Sequence, residues 1–172
     1  MTLLAPLEPQ TRHAASPPEW RPPRHAHASV RRLHEYWVSR RPSGLAMPRR
    51  LDIDPAEFPV PLPNLLLLNI LDGKPWFTYR VAGAKLSWLY RRPLTGQPLG
   101  EGMPEPERTE LIAGAMSVAS SGMPGYRRGD LGWCGRDYLD FEELLLPLAG
   151  ADGGTAMILG IMMISDPQGK DC

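Results

Sequence analysis

The sequence predicts an α+β domain with one five-stranded antiparallel sheet, helices on one face of it and an N-terminal flanking helix. Three observations predict this class. Five short segments have strand character and are separated by turn residues, the helical patterns gather in the middle of the chain, and a Gly-rich turn joins the last two apolar runs. One sheet covered by the mid-chain helices is the economical arrangement of these elements.

Length and charge limit the class of protein. A chain of 172 residues has room for one core of ordinary size. The 19 basic and 19 acidic residues balance, which argues against a protein that coats nucleic acid or an anionic membrane. Residues 1–50 hold nine Arg and three Glu, so a basic leader precedes an acidic domain.

Cysteine content and apolar runs indicate the compartment. Cys134 and Cys172 form neither a CxxC pair nor a disulfide framework, which fits a reducing environment. No secretory signal pattern is present, and the longest apolar runs are far shorter than the roughly 20 residues that cross a bilayer. We therefore expect a cytoplasmic protein without a membrane span.

The predicted organisation has three parts. Residues 1–28 are rich in proline and arginine and predict a disordered tail, because they bury too little apolar surface to offset chain entropy. The domain spans residues 29–166 and includes the flanking helix, and residues 167–172 form a C-terminal tail. Ser29 is the predicted N-cap of that helix, whose apolar residues are Val30, Leu33 and Trp37.

A proline-rich segment with two carboxylates follows the first helix. Asp54, Pro55 and Glu57 supply the N-cap, first position and third position of one helical turn. Asp52 and Asp54 are also a candidate pair for a divalent cation. The interpretation that fits better has Asp54 as the cap and Asp52 paired with an arginine such as Arg49, Arg50 or Arg80, so we expect no metal site.

An antiparallel hairpin is predicted from residues 65–71 and 76–81, joined at Asp72 and Gly73. In its second strand, strict alternation places three side chains on one face: Phe77, Tyr79 and Val81. A short helix follows Gly83 and carries an apolar face of Ala82, Leu86, Leu89 and Tyr90.

The clearest predicted helix spans residues 106–121 and ends before Gly122. Its helically spaced apolar residues are Leu111, Ile112, Ala115, Met116 and Ala119. Three strands follow, over residues 125–134, 138–148 and 155–164, and the last two form a second hairpin. Glu142 and Glu143 occupy successive strand positions and so face opposite sides, which favours a solvated strand edge over a catalytic acid pair.

The order of these elements resembles that of a PAS domain. The pieces that carry the resemblance are WFTYRVAG, AKLSWLYRR, LTGQPL and FEELLLPLAGADGGTAMILGIMMISD. LHEYWVSRRPSG, MPRRLDIDP and YRVAG together are similar to the alphaproteobacterial PAS_5 subgroup of single-domain proteins. The resemblance covers residues 30–166. It implies a cleft for a small molecule between the sheet and the mid-chain helices, a dimer formed through the preceding helix, and signalling through a partner protein.

Two cofactors of the PAS fold are not expected. A flavin adduct needs an Asn-Cys pair on a helix, whereas Cys134 lies in a predicted strand. Haem-binding relatives use a histidine on a mid-chain helix, but all four histidines precede the predicted sheet and the mid-chain helices: His13, His25, His27 and His34. The cofactor, if there is one, stays unknown.

Nine side chains converge between sheet and helices if the fold is right, and they make either a packed core or a ligand pocket. They are Phe77, Tyr79, Leu86, Leu89, Tyr90, Ile112, Met116, Trp133 and Met162. Arg80 is the candidate polar anchor for a ligand, with a structural ion pair as the alternative. Leu33, Tyr36 and Trp37 are the candidate dimer or partner surface.

The function predicted from the sequence is a cytoplasmic signalling module that acts through protein contacts. It is expected to be a homodimer with an unidentified signalling partner and no nucleic-acid partner, and its candidate ligand is small and apolar or amphipathic. No enzyme motif appears, so catalysis is not expected. Two alternatives stay open: a ligand-free scaffold or adaptor with a docking leader, and a small-molecule enzyme, which requires two titratable groups that converge in the cleft.

Overall fold

Five strands form one antiparallel sheet in the computed structural model, which describes residues 19–172. The strands are β1 (Leu65–Ile70), β2 (Phe77–Ala82), β3 (Gly125–Leu131), β4 (Arg136–Ala149) and β5 (Thr155–Ser165). Their order across the sheet is β2-β1-β5-β4-β3, so the last strand is the central one. The predicted sheet and both predicted hairpins are confirmed.

Three helices cover the sheet on both sides: α1 (Ala28–Ser39), α2 (Ala84–Tyr90) and α3 (Glu107–Ser121). We call the side packed under α2 and α3 the cleft face; its strand residues include Leu66, Leu68, Phe77, Tyr79, Leu145 and Ile158. We call the other side the α1 face; its strand residues include Leu65, Leu67, Leu144, Leu146, Leu148, Leu159 and Ile161. The alternating faces of β1, β4 and β5 are thus both buried, which explains their continuous apolar sequences.

The first helix does not present the predicted dimer or partner surface. Leu33, Tyr36 and Trp37 are only 0%, 9% and 3% exposed and belong to the apolar core of the α1 face. The Trp37 Nε1–H also donates to the Pro147 carbonyl at 2.8 Å. The prediction was wrong because the amphipathic pattern of α1 is satisfied by the chain's own sheet, which the sequence pattern alone does not distinguish from a second subunit.

The N-terminal end of α1 differs from the prediction as well. The helix is capped by His27, whose Nδ1 accepts the Ser29 N–H at 3.0 Å, and Ser29 is inside the first turn. Residues 19–27, predicted as part of the tail, pack against the domain: Ala26 is 2% exposed, and the Trp20 ring lies 5.3 Å from the ring of His34. The rest of the predicted tail, with His13, lies outside the described residues.

His27 also connects the start of α1 to the sheet and to the segment that follows β5. Its backbone N–H donates to Glu142 Oε2 at 2.7 Å, and its ring Nε2 lies 2.8 Å from Asp171 Oδ1. The residues after β5 fold back beside that strand through a bridge between Ser165 and Asp171. The start of α1 and the segment that follows β5 therefore meet at one histidine.

The proline-rich segment before β1 forms the predicted capped turn. Asp54 accepts the Ala56 N–H at 2.9 Å at the start of a 3₁₀ turn over Pro55–Glu57. Asp52 accepts hydrogen bonds at 3.0 Å from both Arg49 Nε and Arg49 Nη2. Both carboxylates thus have structural roles. Within residues 19–172, no group of three or more metal-ligating side chains converges.

A bulge in β2 changes the face of one predicted residue. Leu68 pairs with Tyr79, but Leu67 pairs with Val81, so Arg80 is the extra residue of a register shift. Val81 therefore lies on the α1 face with Leu67, and not beside Phe77 and Tyr79 as strict alternation predicted. In the part of the chain that the structure describes, no helix is long and apolar enough to cross a membrane.

Candidate functional site

The deep part of the space between the cleft face and the helices is filled by the chain itself. Phe77, Leu86 and Leu89 are at most 1% exposed, and Leu94 from the loop after α2 completes the packing. Of the nine predicted lining residues, five are buried: Phe77, Tyr79, Leu86, Leu89 and Met162. Tyr90, Ile112 and Trp133 are half-buried.

The ninth residue, Met116, is 41% exposed and does not line the cleft. The buried stripe of α3 consists of Leu111, Ala115 and Val118. The prediction placed the buried side of α3 at the wrong angle around the helix. Because α3 is apolar on much of its circumference, the spacing of its apolar residues does not determine which side is buried. Ile112 is at the margin of the buried stripe.

A buried ion pair lies on the cleft face. Glu143 is 2% exposed, and its Oε2 accepts a hydrogen bond from Arg127 Nε at 2.5 Å. The two residues are directly paired across β3 and β4. The Arg127 guanidinium also lies 4.8 Å from the ring centroid of Phe141. The prediction of a solvated strand edge was therefore wrong for Glu143, because this face is covered by helices.

Two tyrosines complete the polar cluster around this pair. Burial, followed by proximity to Tyr90, raises the pKa of Tyr79 well above its ordinary value. Burial likewise raises the pKa of Tyr90 to about 12. Glu143 acts in the same direction on both pKa values. At neutral pH, both hydroxyls therefore keep their protons and are hydrogen-bond donors in a largely apolar environment.

The charge of Arg127 is stabilised in the same cluster. Burial lowers the pKa of this guanidinium, but Glu143 raises it more, so that the pKa stands above its ordinary value. Arg127 is thus a permanent cation at the inner end of the site. Its side chain is 29% exposed, which leaves part of it accessible.

A cavity of about 240 Å³ opens beside Arg127, next to the first turn of α3. Its apolar lining is Met103, Leu131, Trp133, Phe141 and Met162, and Glu107 and Glu110 stand at its α3 side. Two of the predicted lining residues, Trp133 and Met162, therefore contact this space. Arg80, the predicted anchor, is exposed at the bulge of β2 and is not among the residues that line it.

Cys134 is close to this site but not in the predicted strand. β3 ends at Leu131, and Cys134 lies in a 3₁₀ turn over Gly132–Cys134. The buried Arg136 lies 3.6 Å from its sulfur and donates to the Leu89 carbonyl at 3.1 Å. Arg136 thereby fixes the end of α2 to the start of β4. The strand prediction extended too far because Gly132 and Gly135 give the chain a tight turn.

A comparison with protein families agrees with this geometry. The family model PAS_5, described as "PAS domain", matches residues 25–163. The chain belongs to the PAS domain family. None of the curated proteins compared with it matches.

The chain is also similar to two solved structures. One, described as "Flavin Analogue Sheds Light on Light-Oxygen-Voltage Domain Mechanism", is 11% identical, covers 61% of this chain and 78% of its own, and has a TM-score of 0.44. The other is the N-terminal domain of a diguanylate cyclase with PAS/PAC sensor from Marinobacter aquaeolei. It is 10% identical, covers 59% of this chain and 94% of its own, and has a TM-score of 0.43.

The sequence pattern did not predict the polar cluster of this PAS domain around Arg127 and Glu143. Arg127 was not predicted as a site residue, and Glu143 was assigned to a solvated strand edge. One signal was available: Phe141, Glu143 and Leu145 share one face of β4 by alternation, and a carboxylate between two such residues in a covered sheet must be buried. A buried carboxylate requires a partner, and Arg127 is its cross-strand neighbour.

Proposed function

We propose that this PAS domain is a cytoplasmic sensory module that binds a small amphipathic molecule beside Arg127 and passes the bound state to a partner protein. Membership of the PAS domain family supports the sensory role. The observation that carries the ligand proposal is the partly exposed cation of Arg127 between a buried carboxylate and a cavity of about 240 Å³.

The chemistry of the lining defines the ligand class. Arg127 offers its remaining N–H groups to an acceptor on the ligand, because only Nε is used by Glu143. Met103, Phe141 and Met162 surround an apolar portion, and methionine side chains adapt to irregular shapes. Glu107 and Glu110 would repel a ligand with several negative charges. A neutral molecule with one carbonyl or hydroxyl group therefore fits best.

The same cluster argues for binding rather than proton transfer. The enzyme alternative requires converging titratable groups, and Arg127, Glu143, Tyr79 and Tyr90 do converge. Yet Glu143 is paired with Arg127, and the raised pKa values of the two tyrosines make them poor bases at neutral pH. Glu143 and Arg127 bind each other and the two tyrosines keep their protons, so the arrangement is suited to hydrogen bonding.

Native mass spectrometry of the protein purified from its own source tests the proposal. We expect a bound small molecule in the folded protein that is lost on denaturation, and its occupancy should fall in Arg127→Met. Arg80→Met is the control, because Arg80 is an exposed strand arginine that does not line the cavity. Absence of any bound mass in folded protein, or equal occupancy in both variants, would contradict the ligand proposal.

A ligand-free scaffold is the second candidate, and the packed centre of the cleft favours it. Phe77, Leu86 and Leu94 leave no space in the deep part of the cleft. In this case the domain signals only through its surface, and a homodimer would have to form through residues other than Leu33 and Trp37. Light scattering over a range of protein concentrations measures that dimer independently of any bound molecule.

A further inference from the structure

The α1 face has an apolar groove at the opposite side of the sheet from the cleft. Its volume is about 310 Å³, and it lies between the segment before β1 and the strands. The floor consists of Leu65, Leu67, Leu148 and Leu159, and the wall consists of Ile53, Pro55, Phe58 and Leu62. Val81, which the β2 bulge brings to this face, is 50% exposed at the rim. The groove is therefore open to solvent above a buried apolar floor.

One cation lies at this groove without a counter-ion among residues 19–172. Arg50 is half-buried, and its Nη1 donates to the Ile53 carbonyl at 3.0 Å. No carboxylate of residues 19–172 forms an ion pair with it, whereas the adjacent Arg49 is held by two hydrogen bonds to Asp52. Among the lining residues Arg50 is the single charged one. An apolar channel with a lone guanidinium complements an aliphatic chain that ends in a carboxylate.

We propose that this groove binds a medium-chain aliphatic monocarboxylate, with its chain on the leucine floor and its carboxylate on Arg50. A methylene group occupies about as much space as a water molecule, for which the share of liquid volume is roughly 30 Å³, so the groove holds about ten such groups. The site is separate from the cleft and does not depend on the ligand proposed there.

The concave shape favours such a chain over a second copy of the protein. Leu62 and Val81 project at the rim with 57% and 50% exposure, while Leu65 and Leu159 lie below them with 6% and 4% exposure. A flat protein surface would contact the rim and leave the floor unfilled, which forfeits the packing that stabilises an interface. A single flexible aliphatic chain contacts both the rim and the floor of the groove.

The test is a titration of the full chain with decanoate below its self-association concentration, followed by calorimetry and by NMR chemical shifts. We expect one saturable site, with shifts at β1 and at residues 53–62. Decanol, which has the same chain without the carboxylate, should bind about tenfold more weakly, because hydrogen bonds to charged groups contribute more than neutral ones. Arg50→Gln should weaken decanoate binding by a similar factor, and the control Arg80→Gln should not.

A second variant tests the groove without changing the arginine. Val81→Asp places a negative charge at the exposed rim and should abolish binding, while Leu51→Asp, at a position 91% exposed, should leave it unchanged. The proposal is overturned if decanoate does not bind, if decanol binds equally well, or if Arg50→Gln and Val81→Asp bind like the parent. It is also overturned if Arg127→Met abolishes binding, which would place decanoate in the cleft, or if light scattering shows two copies joined through the groove.

Discussion

The two faces of the sheet accommodate a carboxylate side chain differently, as two consecutive residues of β4 show. Glu143 points to the cleft face, is 2% exposed and is neutralised by Arg127. Glu142 points to the α1 face, is half-buried and accepts hydrogen bonds from the His27 N–H and the Tyr126 hydroxyl. The Glu143 carboxylate belongs to a polar cluster beside a cavity, and the Glu142 carboxylate holds the start of α1 against the sheet.

The difference indicates which face is built for stability and which retains polar chemistry. The cleft face contains a cation, a carboxylate and two tyrosines. Burying the two charged groups costs desolvation free energy, which a purely apolar core does not require. The α1 face buries mainly leucine and isoleucine, but it leaves an unfilled groove at its edge. Matched substitutions on the two faces separate these contributions.

The largest effect is expected from adjacent leucines of β1. Leu68 is 0% exposed in the packed cleft face, so Leu68→Ala should lower the free energy of unfolding by about 4 kcal/mol. Leu67 lines the groove, where contacts are already incomplete, and Leu67→Ala should cost at least about 1 kcal/mol less. Urea denaturation measures both. Equal losses would show that the groove is closed in solution.

The buried ion pair gives the next effect. Arg127→Met leaves the carboxylate of Glu143 buried and unpaired, which should lower the free energy of unfolding by about 3 kcal/mol, the low end for such a loss because Arg127 is 29% exposed. Arg128→Met should change it by less than about 0.5 kcal/mol.

The double variant Arg127→Met with Glu143→Leu completes this experiment. We expect it to recover most of the stability, because no unpaired charge remains in the core. If the double variant is as unstable as the single one, packing of the arginine stem, and not charge burial, determines the loss.

A smaller effect is expected on the α1 face. Trp37→Phe removes the buried hydrogen bond to the Pro147 carbonyl and part of the ring packing on the α1 face, which should cost about 1 to 2 kcal/mol. Trp88→Phe, at a residue 46% exposed on α2, is the control and should cost less. The comparison is made by thermal unfolding at one pH. A loss for Trp88 that equals the loss for Trp37 would contradict the assigned hydrogen bond.

The smallest expected effect is a pH dependence from His34. This side chain is 5% exposed between Trp20 and Trp37, and its Nε2 has no hydrogen-bond partner among the residues described. Burial lowers the pKa of His34 despite the opposing charge of Glu19, while Arg41 and Arg21 lower it further. The folded state therefore binds a proton less readily than the unfolded state.

The sign follows from that difference. Above about pH 6.5, His34 is neutral in both states and contributes no pH dependence. As the pH falls below this value, the unfolded chain takes up the proton first, so stability should decrease until the lowered pKa of the folded state is passed. The loss should disappear in His34→Phe and persist in His25→Gln, measured by urea denaturation from pH 7.5 to 5. Identical pH profiles for parent and His34→Phe would exclude this histidine as the cause.

The sequence predicted the positions of the helices and strands more accurately than it predicted which side of each element is buried. The apolar run of residues 65–71 and the capped turn at Asp54 carry local signals, and both appear as expected. Val81 was assigned to the wrong face because a bulge depends on the register between two strands and not on either strand alone. Met116 was misplaced because α3 is apolar on several sides.

The predicted lining residues include two of the five apolar residues around the cavity and none of the charged ones. Trp133 and Met162 line the cavity, Met162 from the central strand β5 and Trp133 from the 3₁₀ turn that follows β3. Glu143 was missed because its burial depends on helices far away in sequence. Arg127 became visible only through the pairing of β3 with β4, which places it opposite Glu143.

The contact of His27 with Asp171 gives a way to separate two parts of the molecule without altering the sheet. The turn over residues 166–170 is closed by a hydrogen bond from the Asp166 N–H to the Lys170 carbonyl. One residue inserted in this turn would shift Asp171 out of reach of the His27 ring while the ladder of β4 and β5 stays in register. The C-terminal segment and the start of α1 are therefore joined through the imidazole of His27.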